Sequence, residues 1–194
     1  MLTVGETAPD FKLTTLGEEG PKHITLSENL GQPTVLLFVP MAFTSVCTKE
    51  LCSVTEEMSE YESLDAKIIA ISGDSPFAQA AWAEKEGIKL TFASDYEHDV
   101  AKEYGIAYES FLPEKNLTMG GVPKRSAFVI DPNGIIQYAE SNDDPAKLPS
   151  FEEIKSKLVE KLIFYMFFVS SSVLNRDSMA SAFISSSFRS PSFW

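Results

Sequence analysis

Apolar runs and stripes of helical spacing alternate along the first 162 residues. Thr34 to Val39 is an apolar run behind Gly31-Gln-Pro33 and predicts a buried strand. Ala66 to Ser72, closed by Gly73-Asp74, predicts a second. Arg125 to Ile130 predicts a third, and the turn Asp131-Pro-Asn-Gly134 joins it to Ile135–Ala139 as a hairpin. Between the runs the spacing changes. Thr48 to Leu64 sets Leu51, Val54, Met58, Tyr61 and Leu64 on one helical face. Ser75 and Pro76 open a helix over Phe77 to Glu86, and Gly87 ends it. Asp99 to Tyr104 predicts a short helix closed by Gly105. Phe151 to Leu162 carries Phe151, Ile154, Leu158 and Leu162 on one stripe. Buried strands joined by helices imply right-handed crossovers. The expected fold is α/β, a central mixed sheet flanked by helices on both faces.

Composition changes this picture at one place. The 194 residues are 44% hydrophobic and 23% charged, as in an ordinary globular chain. The pattern ends near residue 162. Residues 1–162 hold 14 basic and 27 acidic side chains, whereas residues 163–194 hold two Arg, one Asp, ten Ser and six Phe. The expected organisation is a domain over 1–162 and a Ser/Phe-rich extension over 163–194, disordered or loosely docked. Its apolar run, Leu162 to Val169, is eight residues long, and a membrane span needs roughly 20. Membrane contact by the extension is not expected.

Charge excludes further classes. A net charge of −12 gives no basic surface for a phosphate backbone, so no nucleic-acid partner is expected. Two cysteines are too few for a disulfide-stapled scaffold. His23 and His98 stand alone, so neither a metal nor a cofactor is expected. No basic segment followed by an apolar one opens the chain, which predicts a cytoplasmic protein.

Open α/β sheets place their chemistry at the carboxyl ends of strands. The strand Thr34–Val39 ends at Pro40, and seven residues later Cys47 begins the next helix. Free N–H groups and the positive end of the helix dipole favour a thiolate there, and the thiolate is the nucleophile. A buried structural cysteine is the other reading of position alone. The surroundings weigh for reactivity. Pro40, Thr44 and Cys47 form Pro-x-x-x-Thr-x-x-Cys. A hydroxyl three residues before the thiol can hydrogen-bond the thiolate and an oxygen substrate, and the Pro can shield the sulfur from water.

This pattern resembles the active-site signature of the peroxiredoxins, thiol peroxidases of thioredoxin-like fold. Gly5-Glu-Thr-Ala-Pro-Asp-Phe11, Asp74-Ser-Pro-Phe77 with Ala81-Trp82, and Gly121-Val-Pro-Lys-Arg-Ser-Ala-Phe-Val-Ile-Asp131 are similar to further family segments. The resemblance covers residues 3 to about 162. It implies that Cys47 is the peroxidatic nucleophile, with Thr44 and Arg125 stabilising thiolate and leaving oxygen. It implies an Arg125-bonding place for Glu50, whose other reading is a solvated helix-face carboxylate. The implied substrates are hydrogen peroxide and organic hydroperoxides, the implied partners thioredoxin or a similar thiol, and the implied assembly a homodimer.

Cys52 follows Cys47 by five residues. On an intact helix that is about 7.5 Å of rise and about 140° of rotation, too far for a disulfide. Cys47-Thr-Lys-Glu-Leu-Cys52 resembles the PrxQ (bacterioferritin comigratory protein) type, in which such a pair resolves the sulfenic acid after the helix frays. Ala42-Phe43-Thr44 looks more like the AhpE and related single-cysteine groups. Resolution by Cys52 and resolution by an external thiol both stand. So do two other classes of function: a non-enzymatic redox sensor or relay using the same cysteine, and a thioredoxin-like disulfide oxidoreductase. The latter calls for Cys-x-x-Cys, which this chain lacks. Phe43, Phe111 and Met119 are expected in the core or along the approach to the sulfur, and Trp82 in the core.

Overall fold

In the computed structural model, which describes residues 1–160, seven strands form one twisted sheet. They are β1 (Lys12–Gly17), β2 (Gly20–Thr25), β3 (Thr34–Phe38), β4 (Lys67–Ser72), β5 (Thr91–Ser94), β6 (Arg125–Ile130) and β7 (Ile136–Asn142). The order across the sheet is β2-β1-β5-β4-β3-β6-β7. Parallel pairs β3–β4 and β4–β5 form its middle, and antiparallel pairs finish both sides. The helices are α1 (Ser45–Glu56), α2 (Met58–Ser63), α3 (Pro76–Glu86), α4 (Asp99–Glu103) and α5 (151–160). The expected mixed α/β sheet is therefore present. Residues 1–158 make one compact unit. Leu162 and the extension expected over 163–194 lie outside the described residues.

Two-sided burial explains the apolar runs. Along β3, Val35 and Leu37 face a core built with α1, α2, α3 and α5. Leu36 and Phe38 face the opposite core, built with α4 and the segment around Phe11. Every residue of β3 is buried, so the strand has no polar face to alternate with. No helix among the described residues is long and apolar enough to cross a membrane.

The helix expected over Thr48 to Leu64 differs at both its start and its middle. It begins at Ser45, with Thr44 extended at the N-cap, and it breaks at Glu57 into α1 and α2. The hydrophobic stripe runs on through the break, because Val54 and Tyr61 reach the same core from both pieces. Helix α3 behaves as its punctuation requires. The Ser75 hydroxyl accepts from Ala78 N, Pro76 occupies the first turn, and Gly87 closes the helix at φ 70°.

Candidate active site

The carboxyl end of β3 runs through Pro40 into a tight loop and then α1. The Ala42 amide donates to Asp74 Oδ2 at 2.8 Å, tying this loop to the end of β4. Phe43 takes a left-handed φ of 61°, which a non-glycine residue adopts only where its surroundings hold it. The Thr44 hydroxyl donates to the Met41 carbonyl at 3.0 Å, so its proton is engaged within the loop. Cys47 is then the third residue of α1, in the turn that carries the free N–H groups.

Sheet register brings the partner. Phe38 at the end of β3 pairs with Ser126 of β6, which sets Arg125 beside the start of the loop. Arg125 Nη2 donates to Cys47 Sγ at 3.2 Å across 78 residues of sequence. Cys47 and Arg125 are each 1% exposed. A fixed cation at this distance stabilises negative charge on the sulfur and on an oxygen bound to it. The guanidinium is held from two other sides: Nη1 donates to Glu50 Oε2, and Nε donates to the Pro145 carbonyl at 2.9 Å.

Glu50 lies one turn after Cys47 on the same face of α1 and is fully buried. It is an ion-pair partner rather than a solvated carboxylate. Its Oε1 has no hydrogen-bond partner among the described residues. Burial pushes its carboxyl up to about 7, with Arg125 pulling the other way. A carboxyl raised on folding lends stability below its unfolded value and loses it as pH climbs through the raised one. Wild type is therefore expected to lose stability relative to Glu50→Gln between about pH 5 and pH 8, by up to about 3 kcal/mol. Thermal or urea melts of both proteins across that range check this, and parallel pH profiles would contradict it.

Cys52 sits on the far side of the same helix. It is half-buried at the edge of the core that α1 covers, and its thiol meets the Glu86 carbonyl at 3.7 Å. Burial, then Glu86 and Glu56, push the Cys52 thiol up. Both cysteines are free, and α1 is continuous through both. The structure thus brings Cys47, Arg125 and Glu50 together, keeps Pro40 and Thr44 at the same mouth, and leaves Cys52 apart.

A cavity of about 210 Å³ opens over the sulfur. Pro40, Val46, Phe111, Leu117 and Pro145 line it, with Lys115 and Arg125 as its charged members. A larger hollow, about 590 Å³ between the β1–β2 hairpin and α3, contains neither cysteine. Of the three residues expected in the core or along the approach, Phe111 is buried and lines the cavity. Phe43 is 50% exposed, with its ring tilted against that of Trp82 at 6.2 Å between centres, and Met119 is exposed as well. Trp82 is in the core as expected, and its indole donates to Thr48 Oγ1 in the first turns of α1. Sequence reasoning missed the Pro145 carbonyl and the loop bond of Asp74. A backbone acceptor leaves no side-chain signature, and Asp74 stood inside a quoted segment with no role assigned.

Comparison with known proteins places these features. The model of the AhpC/TSA family matches residues 4–139. A protein described as a peroxiredoxin, ycf42 of Porphyra purpurea, is 35% identical over 146 residues, covering 73% of this chain and 70% of that protein. The mitochondrial thioredoxin-dependent peroxide reductase of Rattus norvegicus is 32% identical over 149 residues. The alignment covers 73% of this chain and about half (54%) of the rat protein. The solved structure of the peroxidoxin BcpB from Mycobacterium tuberculosis superposes with a TM-score of 0.67 at 28% identity, covering 82% of this chain and 98% of that one.

Proposed function

The chain belongs to the AhpC/TSA family, and on that premise we propose how its residues carry out the chemistry of a thiol peroxidase. The observation that carries the reading is the 3.2 Å bond from Arg125 Nη2 to Cys47 Sγ at the start of α1, beneath a small cavity. The Cys47 thiolate attacks one oxygen of a hydroperoxide, in line with the O–O bond. An S–O bond forms and the O–O bond breaks. The leaving oxygen departs as water or an alcohol after taking a proton, and Cys47 becomes a sulfenic acid. Arg125 remains charged at any working pH and faces the site where charge develops. The cavity is small and mostly apolar, and Cys47 is almost fully buried beneath it, which limits the access of bulk water to the sulfur. Hydrogen peroxide and organic hydroperoxides are the proposed substrates.

The second half of the cycle regenerates the thiol. Cys52 condenses with the sulfenic acid, releasing water and forming a Cys47–Cys52 disulfide. A dithiol such as thioredoxin then reduces that disulfide, becoming oxidised itself. The name of the rat relative ties that protein to thioredoxin and to peroxide, and we carry both partners to this chain. The pair cannot bridge on an intact α1, so the first turns must open before the bond forms. Helix ends open locally at low cost, which makes the step feasible. A homodimer is part of the same proposal, with β2 and β7 at the two ends of the sheet order.

The test is direct. After one equivalent of hydrogen peroxide, intact mass should fall by about 2 Da, the loss of two hydrogens on disulfide formation. Peptide mapping without reductant should then find Cys47 joined to Cys52. Cys52→Ser should still form one sulfenic acid per chain but lose turnover with thioredoxin, thioredoxin reductase and NADPH. A lasting sulfenic acid in wild type, with full turnover in Cys52→Ser, would transfer resolution to an external thiol. Oxidation of Cys47 by one equivalent of peroxide with no turnover by the thioredoxin system would remove the peroxidase reading and leave the sensor.

A further inference from the structure

The aim of Arg125 at Cys47 depends on a carbonyl that lies on a turn after β7, and a tyrosine hydroxyl ties the backbone of that turn to the rest of the site. Arg125 Nε donates to Pro145 O at 2.9 Å. Around Pro145 the chain bonds mainly to itself: Ala146 N donates to Asp144 Oδ1, and Lys147 N donates to the Asp144 carbonyl. Those bonds shape the turn without anchoring it. The β6–β7 ladder fixes the chain as far as Asn142, opposite Arg125, and two side chains reach the next residue, Asp143. The Tyr108 hydroxyl donates to the Asp143 carbonyl at 2.7 Å. Lys124 Nζ reaches Asp143 Oδ1 at 2.6 Å, but that carboxylate is 88% exposed, and such surface pairs contribute little. The hydroxyl bonds the main chain itself, whereas Lys124 reaches only the side chain, so the hydroxyl is the more direct tie on the turn.

Tyr108 is itself well fixed. Its amide donates to the Val122 carbonyl at 2.9 Å, and its own carbonyl accepts from Gly121 N at 2.8 Å. Its ring centre lies 5.3 Å from that of Phe111, and Lys124 Nζ stands over the Tyr108 ring, 5.6 Å from its centre. Phe111 and Pro145 both line the cavity above Cys47. One side chain thus supports Phe111 by its ring and the Pro145 turn by its hydroxyl.

We propose that Tyr108 is a positioning residue of the peroxidase site, acting through the Asp143–Pro145 turn to hold Arg125 on line with Cys47. Without the hydroxyl bond the Pro145 carbonyl is free to draw back from Nε. The guanidinium then keeps its ion pair with Glu50 and turns away from the sulfur. Small misplacements of a charge-stabilising group cost rate steeply, because the group works only along the line where charge develops.

This inference rests on the peroxidase reading, so the experiment starts from a wild-type chain already shown to consume peroxide. Tyr108→Phe keeps the ring and removes only the hydroxyl. Its rate constant for Cys47 oxidation by hydrogen peroxide, followed in a single turnover, should fall about tenfold. The decisive arm is a double-mutant cycle with Arg125→Lys. If Tyr108 acts through the guanidinium, adding Tyr108→Phe to Arg125→Lys should change the rate by less than about twofold. An unchanged rate in Tyr108→Phe alone would overturn the proposal. So would an equal slowing in both backgrounds, which is what general loosening of the fold produces.

Discussion

Cys47→Ser should reduce peroxide turnover by on the order of 10³-fold or more, as loss of a covalent nucleophile does elsewhere. The reason is electronic rather than steric. A serine hydroxyl stays protonated and presents no anion to the peroxide oxygen, even with Arg125 Nη2 held beside it. The substitution exchanges one small buried atom for another in a site that is 1% exposed. Arg125 keeps Glu50 and the Pro145 carbonyl as acceptors, so no buried charge is left alone. Thermal stability should therefore stay within a few degrees of wild type, a shift of about 1 kcal/mol or less. Peroxide consumption assayed alongside a melt separates the two quantities. Retained turnover in a folded Cys47→Ser protein would sink the assignment of the nucleophile. Cys52→Ser provides the contrast, because it removes no group from the first chemical step.

The readability of this chain follows from where each segment is buried. Strands β3, β4 and β6 lie between two cores, so burial on both faces wrote them as continuous apolar runs. The β1–β2 hairpin was not legible in the same way. β2 is an edge strand, and its Pro21, Lys22 and His23 are exposed, leaving no apolar alternation. β5 has four residues, too few for any period to register. The break at Glu57 was hidden for the opposite reason: no Gly or Pro marks it, and the apolar stripe crosses it unbroken. At the site, Cys47, Thr44 and Arg125 were accessible because their chemistry resides in side-chain type and spacing. The Pro145 carbonyl and the Tyr108–Asp143 bond were not, since backbone acceptors look alike at every position. The sequence also left Glu50 between two roles, and its complete burial decides for the ion pair.

Replacing Arg125 should separate catalysis from stability. Arg125→Met removes the charge facing the sulfur and is expected to slow Cys47 oxidation by about 10²- to 10³-fold, the usual cost of a lost charge-stabilising donor. Arg125→Lys should recover little of that. An ammonium is a point charge and cannot serve Cys47, Glu50 and the Pro145 carbonyl from one planar fork. Stability responds to a different partner. Arg125→Met strands the Glu50 carboxylate in a fully buried site, a loss of about 3–5 kcal/mol when one member of a buried pair is removed. The loss should be pH-dependent. Arg125 is the group that pulls Glu50 down, so without it the carboxyl rises further above its unfolded value. Glu50 then stays protonated at mildly acid pH, and the destabilisation is smallest there. It grows as pH rises through the raised value. Arg125→Met combined with Glu50→Met removes both charges and should regain much of the stability, because a well-packed apolar pair often matches a buried ion pair. It should regain none of the rate, since Glu50 has no direct contact with Cys47 in the hydrogen-bond network and acts only on Arg125. Urea melts at about pH 6 and pH 8, paired with single-turnover oxidation rates, read both axes. Recovery of rate in the double variant would show that Arg125 serves the fold and not the sulfur.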